Sequence, residues 1–528
     1  VTPTRIGVFG WGIVAPKSPT IAAFAANLGS AESWLEPFHG FGPDNFLVGR
    51  PAFDFEDYRD WITDRFPPRR YQQVAEKMDF STKYAIGAFI QALSQNEGLE
   101  RELTALGTQS HVYVGTGLGS LPTLCEQTLK LHRSQVRWNR FWSRPDRNSE
   151  LRAWLALPAA ERAARPGVPP DPATVDEAVR EEAAEAWHAW WTERSPELHR
   201  FLDEYRKIES VRVEGDVETG KLRVIRAKRR ALTKLLEDWN APEPPWTEVL
   251  ADTIWNIPNT PAAQISMLGR ITGPAFAPVA ACSTFGVCLK IGIDAIRRGE
   301  AKLAVVGATD PPPVPLTVGA FYAARVIAAD AEVSKPLTQL RGTHVAGGAV
   351  IWILGDLEHF TARGFRPLGM EPVSVAITSD ADHIITPTKE GSSAAIRAAL
   401  AGAAAAASDV RSWDLHATAT PGDYTEVENL RELLPDGVVV TARKGTFGHG
   451  MSAGGGWELT AQYLGYERGR LYPTVLREDE LNPEIARLHR RFVFDDGCAA
   501  PDGLAGKLSM GIGGINACVI SRPLESAR

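Results

Sequence analysis

What most constrains this chain is a unit it repeats: an apolar strand that stops at a corner of small residues and turns at once into a helix. The unit is clearest in "PVAACSTFGVCLKIGIDAIRRGEAKLAVVGATD" (278–310), where a strand runs into Cys282, a helical pattern follows, and "LAVVGATD" reads as the next strand. It recurs in "SWDLHATATPGDYTEVENLREL" (412–433), with His416 in the loop, and in "VVVTARKGTFGHGMSAGGGWELTAQYL", with His449 at the corner. Residues 5–15 predict a first strand, about 21–28 a helix, and 79–95 a buried helix with Ser81 near its start. "HVYVGTGLGS" (111–120) is a strand stopping in glycines, 346–364 a strand, turn and helix, 394–407 a helix, and 506–521 two strands joined by glycines. Alternating elements of this kind predict an α/β fold with buried mixed sheets. The same order in both halves predicts an internal duplication.

Between about residue 127 and 250 the composition changes to Arg, Glu, Ala and Trp. The stretch around "EEAAEAWHAWWTERSPELHRFLDEYRK" reads as amphipathic helix with a break at Pro196. This is an insertion with its own small core or a helical cap, and its charges read as a solvated face. A net charge of -7 argues against a nucleic-acid partner. No apolar run approaches the roughly 20 residues of a membrane helix, and the start of the chain reads as a strand rather than a signal peptide. The five cysteines are scattered at 125, 282, 288, 498 and 518, a spacing that fits neither a disulfide framework nor a metal site. A reducing cytoplasm is the simplest setting.

Three corners carry residues able to do chemistry. A thiol at a helix N-terminus feels the partial positive charge of unpaired amides, which favours thiolate at Cys282. Ser283, Thr284 and Gly286 keep that corner small. The competing reading is core packing, and Cys288, among Val287, Leu289 and Ile291, belongs there. His416 is followed by alternating threonines, and His449 is flanked by glycines that let backbone and ligand come close. Lys444 lies near enough in sequence to tune His449, and "MGIGGIN" (510–516) is a turn able to aim N–H groups at an oxyanion. Strand ends of an α/β sheet are where ligands collect.

Taken together, "AACSTFGVCLKIGIDAIRRGEAKLAVVGATD", "HATATPGDYTE", "KGTFGHGMSAGGG" and "MGIGGIN" resemble the β-ketoacyl-acyl carrier protein synthases, of the elongating Cys-His-His type in the thiolase superfamily. The resemblance implies a thiolase-like fold: duplicated αβαβα layered halves with mixed five-stranded sheets, in 1–365 and 366–528, plus the helical insertion at about 127–250. It implies decarboxylative Claisen condensation of an acyl thioester with malonyl-acyl carrier protein, in fatty acid or polyketide-type biosynthesis. Cys282 matches the nucleophile that takes the acyl group, and His416 and His449 match the pair that stabilises the enolate as carbon dioxide leaves. Lys444 matches the supporting lysine of the catalytic set, and the backbone N–H groups of Cys282 and Ile512 match the oxyanion hole. Thr418, Thr420, Phe321 and Gly513 are the matching substrate-binding positions. No metal or organic cofactor is implied; the substrates ride on the phosphopantetheine of acyl carrier protein or on coenzyme A. A homodimer is implied as well.

The chain departs from that pattern in places. Ala346-Gly347-Gly348-Ala349 stands where relatives carry an acid between glycines, which leaves Lys444 to be compensated elsewhere or by solvent. The loop after His416 is one residue shorter than usual, and Ile512 replaces a phenylalanine gate, which implies a different gate or chain length. Two other readings stay open: a non-catalytic, chain-length-factor-like partner of another ketosynthase, and a thiolase or Cys-His-Asn starter enzyme. The second would want a Cys where Met510 stands, or an Asn where His449 stands. An initiating role is also open.

Overall fold

The computed structural model describes residues 4–42, 45–212 and 217–524. Two five-stranded sheets organise it. The first is built from β1 (Ile6–Val14), β2 (Ser110–Gly115), β3 (Ala275–Phe276), β4 (Leu303–Asp310) and β5 (Gly348–Asp356), in the order β1-β5-β4-β2-β3. The second is built from β6 (Met370–Ser379), β7 (Val410–Asp414), β8 (Val439–Thr441), β9 (Leu504–Gly511) and β10 (Ile515–Pro523), in the order β8-β7-β9-β10-β6. Each sheet therefore reads third, second, fourth, fifth, first along its own strands. In each, the second, third and fourth strands run parallel and the fifth runs antiparallel to its two neighbours. The duplication hinted at by the strand–corner–helix rhythm is thus present as one topology used twice.

The strands are apolar because both faces of each sheet are covered. Along β5, Ile351 and Ile353 join one cluster while Val350, Trp352 and Leu354 join another, the period-two alternation of a strand. The first cluster holds the helix Phe80–Leu93. The second holds the helices Thr284–Arg297 and Met451–Glu467, and also takes Met370, Val375, Ala505 and Val519 from the second sheet. Those two helices are the central layer. The outer face of the second sheet is covered by Lys389–Gly402 and Gly422–Leu433. The result is a thiolase-like αβαβα stack. Glycine makes the centre possible: a Cβ on Gly286 would sit 2.6 Å from the Cβ of Ala517, and one on Gly456 would sit 2.4 Å from Val350.

Two boundaries differ from expectation. Asp79, not Ser81, caps the helix Phe80–Leu93 by accepting from the N–H of Thr82 at 3.3 Å, and Ser81 donates to the Gly119 carbonyl. The helix expected over 394–407 is Lys389–Gly402. Thr388 caps it through the N–H of Gly391, so "GSS" forms its first turns, and the alanine run beyond Gly402 leaves it.

A separate compact unit spans Leu124–Thr253. Its helices include Arg180–Glu193 and Pro196–Glu209, with Pro196 in the first turn and Ser195 capping Leu198 at 3.1 Å. It has cores of its own, one around Trp138, Trp142, Leu198, Phe201 and Leu235, another around Leu151, Trp187 and Trp191. Among the described residues no helix is long and apolar enough to cross a membrane, and no cluster of potential ligands could hold a metal ion.

Candidate active site

The site is built where strands of both sheets end. Cys282 lies in the single 3-10 turn Ala281–Ser283, directly ahead of the helix Thr284–Arg297. Ala281 takes a positive φ of 47°, a conformation that disfavours a side chain, and this turns the strand direction into the helix direction. The turn is tied down on both sides: Ser283 Oγ donates to the carbonyls of Ser509 and Ile515 at 3.1 and 2.7 Å, and Thr284 Oγ1 donates to Ala281 at 2.8 Å. A Cβ on Gly511 would lie 3.3 Å from the Cys282 nitrogen, so the β9–β10 turn approaches the thiol closely only because glycine stands there.

His416 follows β7. Its backbone N–H donates to Glu426 at 2.7 Å, and that of Ala417 donates to the same carboxylate at 2.9 Å. Asp423 accepts from Thr418 at 2.8 Å, from Ala419 at 3.1 Å and from Leu337 at 2.9 Å. The first turns of the helix Gly422–Leu433 thus clamp the loop, where carboxylates also suit the helix dipole. His449 precedes the helix Met451–Glu467, and its N–H donates to the His344 carbonyl at 2.6 Å. The two imidazole rings meet edge to face, centroids 5.3 Å apart and planes at 83°.

Cys282, His416 and His449 line one cavity of about 280 Å³, together with Thr418 and Thr420, whose hydroxyls are 2.9 Å apart, and with Phe321, Met510 and Ile512. The rest of the wall is mostly apolar or small, Ala320, Ala324, Val326, Ile385, Pro387, Gly422 and Gly511, with Thr343 as a further polar residue. Cys282 is only 7% exposed, so this cavity is its access. Ile512 is 44% exposed, at the cavity's open side. Two positions singled out in the sequence are not on the wall. Gly513 spends its N–H on the Ile384 carbonyl at 2.7 Å, and Lys444 reaches the cavity only through His416.

Lys444 is not left to solvent. It is buried, and its Nζ lies 2.7 Å from Glu458 Oε1. It also donates to the His416 carbonyl and lies 3.5 Å from His416 Nδ1. The acid missing at 347 is therefore supplied by Glu458 on the central helix. Gly347 has no room for one, because a Cβ there would sit 2.1 Å from the Pro311 carbonyl oxygen. An ammonium can only donate, so its contact with Nδ1 makes that nitrogen the acceptor and leaves Nε2 to carry the proton.

The electrostatics reverse one expectation. Burial pushes the Cys282 thiol up to about 11, with the Lys444 charge and the Ile512 N–H pulling it partly back. The helix-end argument for a resting thiolate gives way to desolvation. Both imidazoles are held well below their usual value, first by burial and then by the positive charge of Lys444. The site thus rests as a neutral thiol beside two neutral imidazoles. Since the thiol's pKa is raised, its thiolate fraction keeps growing through the neutral and alkaline range. Iodoacetamide labelling of Cys282, followed by peptide mass, is expected to accelerate about tenfold per pH unit from 7 to 9.5. A rate plateau below pH 8 would indicate a preformed thiolate–imidazolium pair instead.

Several residues escaped the sequence reading. Besides Glu458 they are Asp423 and Glu426, Asp310, which accepts from Thr116, Leu118 and Ser452, and Lys507. The spacing Thr420-x-x-Asp423 was a visible cue, since an acid three residues past a threonine often closes a helix start.

The N-terminal domain of β-ketoacyl synthases matches residues 233–359 and the C-terminal domain matches 371–476. Over those residues this chain is similar to both domains of the β-ketoacyl synthases. The 3-oxoacyl-(acyl-carrier-protein) synthase I, chloroplastic, of Arabidopsis thaliana is 30% identical over 240 residues, 44% of this chain and 50% of that protein. The chain spans about half the length of such curated relatives. Among solved structures, the ishigamide ketosynthase/chain length factor superposes with a TM-score of 0.67 at 17% identity, covering 99% of this chain and 100% of the other. So does a type II polyketide synthase ketosynthase in complex with its acyl-carrier protein, TM-score 0.67 at 16% identity, with the same coverage. At those identities the likeness is one of fold. Leu124–Thr253 forms a compact unit of its own in this chain.

Proposed function

We propose that this protein is a catalytic β-ketoacyl synthase that condenses a Cys282-bound acyl group with a malonyl thioester carried on acyl carrier protein. The observation that carries the reading is the convergence of Cys282, His416 and His449, from three distant corners, on one largely apolar cavity.

Each step has its group. As Cys282 Sγ attacks the acyl thioester, its proton passes to one of the neutral imidazoles. The departing carrier thiolate takes that proton back, so an S-acyl bond forms as the carrier S–acyl bond breaks. The malonyl thioester then occupies the same cavity, with Thr418 and Thr420 offered to its pantetheine arm. Loss of carbon dioxide leaves an electron pair as an enolate. His416 Nε2–H and the His449 imidazole stabilise its oxygen, and neutral donors do this without presenting an acid that would quench the carbanion. The carbanion attacks the acyl carbonyl, and the resulting oxyanion meets the backbone N–H groups of Cys282 and Ile512, both of which already pull the thiol's pKa down. Collapse expels the Cys282 thiolate, which takes up one proton and returns to the thiol. Removing one such donor generally costs about 3 kcal/mol of barrier.

The apolar wall formed by Phe321, Val326 and Met510 suits an alkyl or polyketide chain better than a charged one. A chain-length-factor-like partner would need neither an accessible thiol nor two neutral imidazoles facing it. A panel of acyl thioesters of increasing length, read by intact mass, tests the reading. The expected result is an adduct of one acyl group on Cys282 and, after malonyl carrier protein is added, a β-ketoacyl product with carbon dioxide. No adduct at any length and no carbon dioxide would overturn it.

A homodimer belongs to the same proposal. β3 is an edge strand, and Phe276 within it and Val279 just after it are exposed apolar residues. Light scattering at micromolar concentration reads it, and a monomer there would count against it.

A further inference from the structure

Strand β9 carries a single charge, Lys507, in an otherwise apolar or small run, and it is 1% exposed. Lys507 shares a face with Ala505, so it points into the central layer. Its ammonium is surrounded by oxygen: Glu458 Oε2 at 2.7 Å, the Leu508 carbonyl at 2.6 Å, the Leu415 carbonyl at 3.2 Å and Asp414 Oδ1 at 3.5 Å. Glu458 turns its other oxygen to Lys444, which holds His416 through its carbonyl and Nδ1. Lys507 therefore grips the His416 segment twice, once along the chain Glu458–Lys444–His416 and once at the carbonyl just before His416.

Burying an ammonium among carboxylates does not by itself stabilise a fold, because desolvation offsets most of the attraction and an apolar residue serves as well. What the arrangement supplies is fixed geometry. We propose, on the reading given above, that Lys507 is a positioning residue for the decarboxylating half of the site, a built-in cation whose removal disorders Glu458, Lys444 and His416 while leaving the nucleophile's corner intact. The two halves are separable because the Cys282 corner is held through the hydroxyls of Ser283 and Thr284 and the close approach of Gly511, whereas Lys507 spends its ammonium on Glu458, Asp414 and the Leu415 and Leu508 carbonyls. In agreement, the Lys507 charge acts on both imidazoles.

The test separates the half-reactions in Lys507→Ala. Carbon dioxide release from malonyl carrier protein is expected to fall about 100-fold, the scale for a misplaced preorganised donor, while acylation of Cys282 changes by less than about threefold. The truncation removes three methylenes and the ammonium and leaves a cavity lined by oxygens at its far end and long enough for a small amine, so methylamine is expected to restore decarboxylation at least tenfold. Tetramethylammonium, without N–H groups, is expected not to. Equal loss of both half-reactions with no response to methylamine makes Lys507 structural and overturns the proposal.

The double variant Lys507→Ala/Asp414→Asn removes one charge of each sign and guards against misfolding. It is expected to remain slow and amine-responsive. If it decarboxylates normally without amine, only charge balance mattered and the proposal falls. It falls equally if neither variant folds even with methylamine present. A wild-type protein that neither acylates nor releases carbon dioxide would instead sink the synthase reading, which keeps the two failures distinct.

Discussion

Replacing Cys282 by alanine is expected to remove the acyl adduct altogether and to lower condensation by at least about 1,000-fold, while malonyl carrier protein still loses carbon dioxide. The split follows from the division of labour in the cavity. Only the sulfur forms a covalent bond, so no other group can stand in for it. Cleavage of the malonyl C–C bond needs only an oxygen-stabilising pair, and His416 and His449 are held by backbone and lysine contacts that do not pass through Cys282. Alanine also fits the corner, since the turn is fixed by Ser283 and Thr284 rather than by the thiol. Product analysis by mass and trapping of labelled carbon dioxide from the same incubation check both halves. Loss of carbon dioxide release along with condensation would mean the thiol takes part in decarboxylation.

The complementary variant is His416→Ala, for which carbon dioxide release and condensation are expected to fall together by about 100- to 1,000-fold. The acyl adduct on Cys282 is still expected to form, because His449 remains as a neutral base on the same cavity. Lys444→Met should move in the same direction by a smaller factor. Without the ammonium, His416 Nδ1 loses the donor that fixes its tautomer, and both imidazoles lose a charge that keeps them neutral. Their pKa values then rise, so the acid limb of the decarboxylation profile, which requires neutral rings, shifts to higher pH. A shift to lower pH, or none, would contradict the placement of Lys444 beside the pair.

The strand–corner–helix rhythm was legible because burial on both faces writes continuous apolar strands, and because a reactive group at a corner must be ringed by small residues. Cys282, His416 and His449 were found that way. The partners that position them were harder to see. Glu458, Lys507 and Asp414 are single charges inside apolar segments, and a lone charge of that kind is the cue. What hid them was a family expectation that put the acid at 347. Their meeting depends on β7 and β9 being neighbours and on the central helix lying beneath them, pairings between segments far apart in the chain. The resting state of Cys282 was misjudged for a related reason. A helix terminus can be read from a string of letters, whereas the depth at which the sulfur is buried depends on a turn contributed more than 200 residues later.

The placement of Leu124–Thr253 between β2 and β3 has a consequence for assembly. About 160 residues of chain separate Gly115 from Ala275, yet these strands pair side by side, and closure entropy grows only with the logarithm of the span, about 0.6 kcal/mol per doubling. Against a connection of about 40 residues, the inserted unit therefore taxes the sheet by little more than 1 kcal/mol. A segment with cores of its own can therefore lengthen or shorten at little entropic cost to the pairing of β2 with β3.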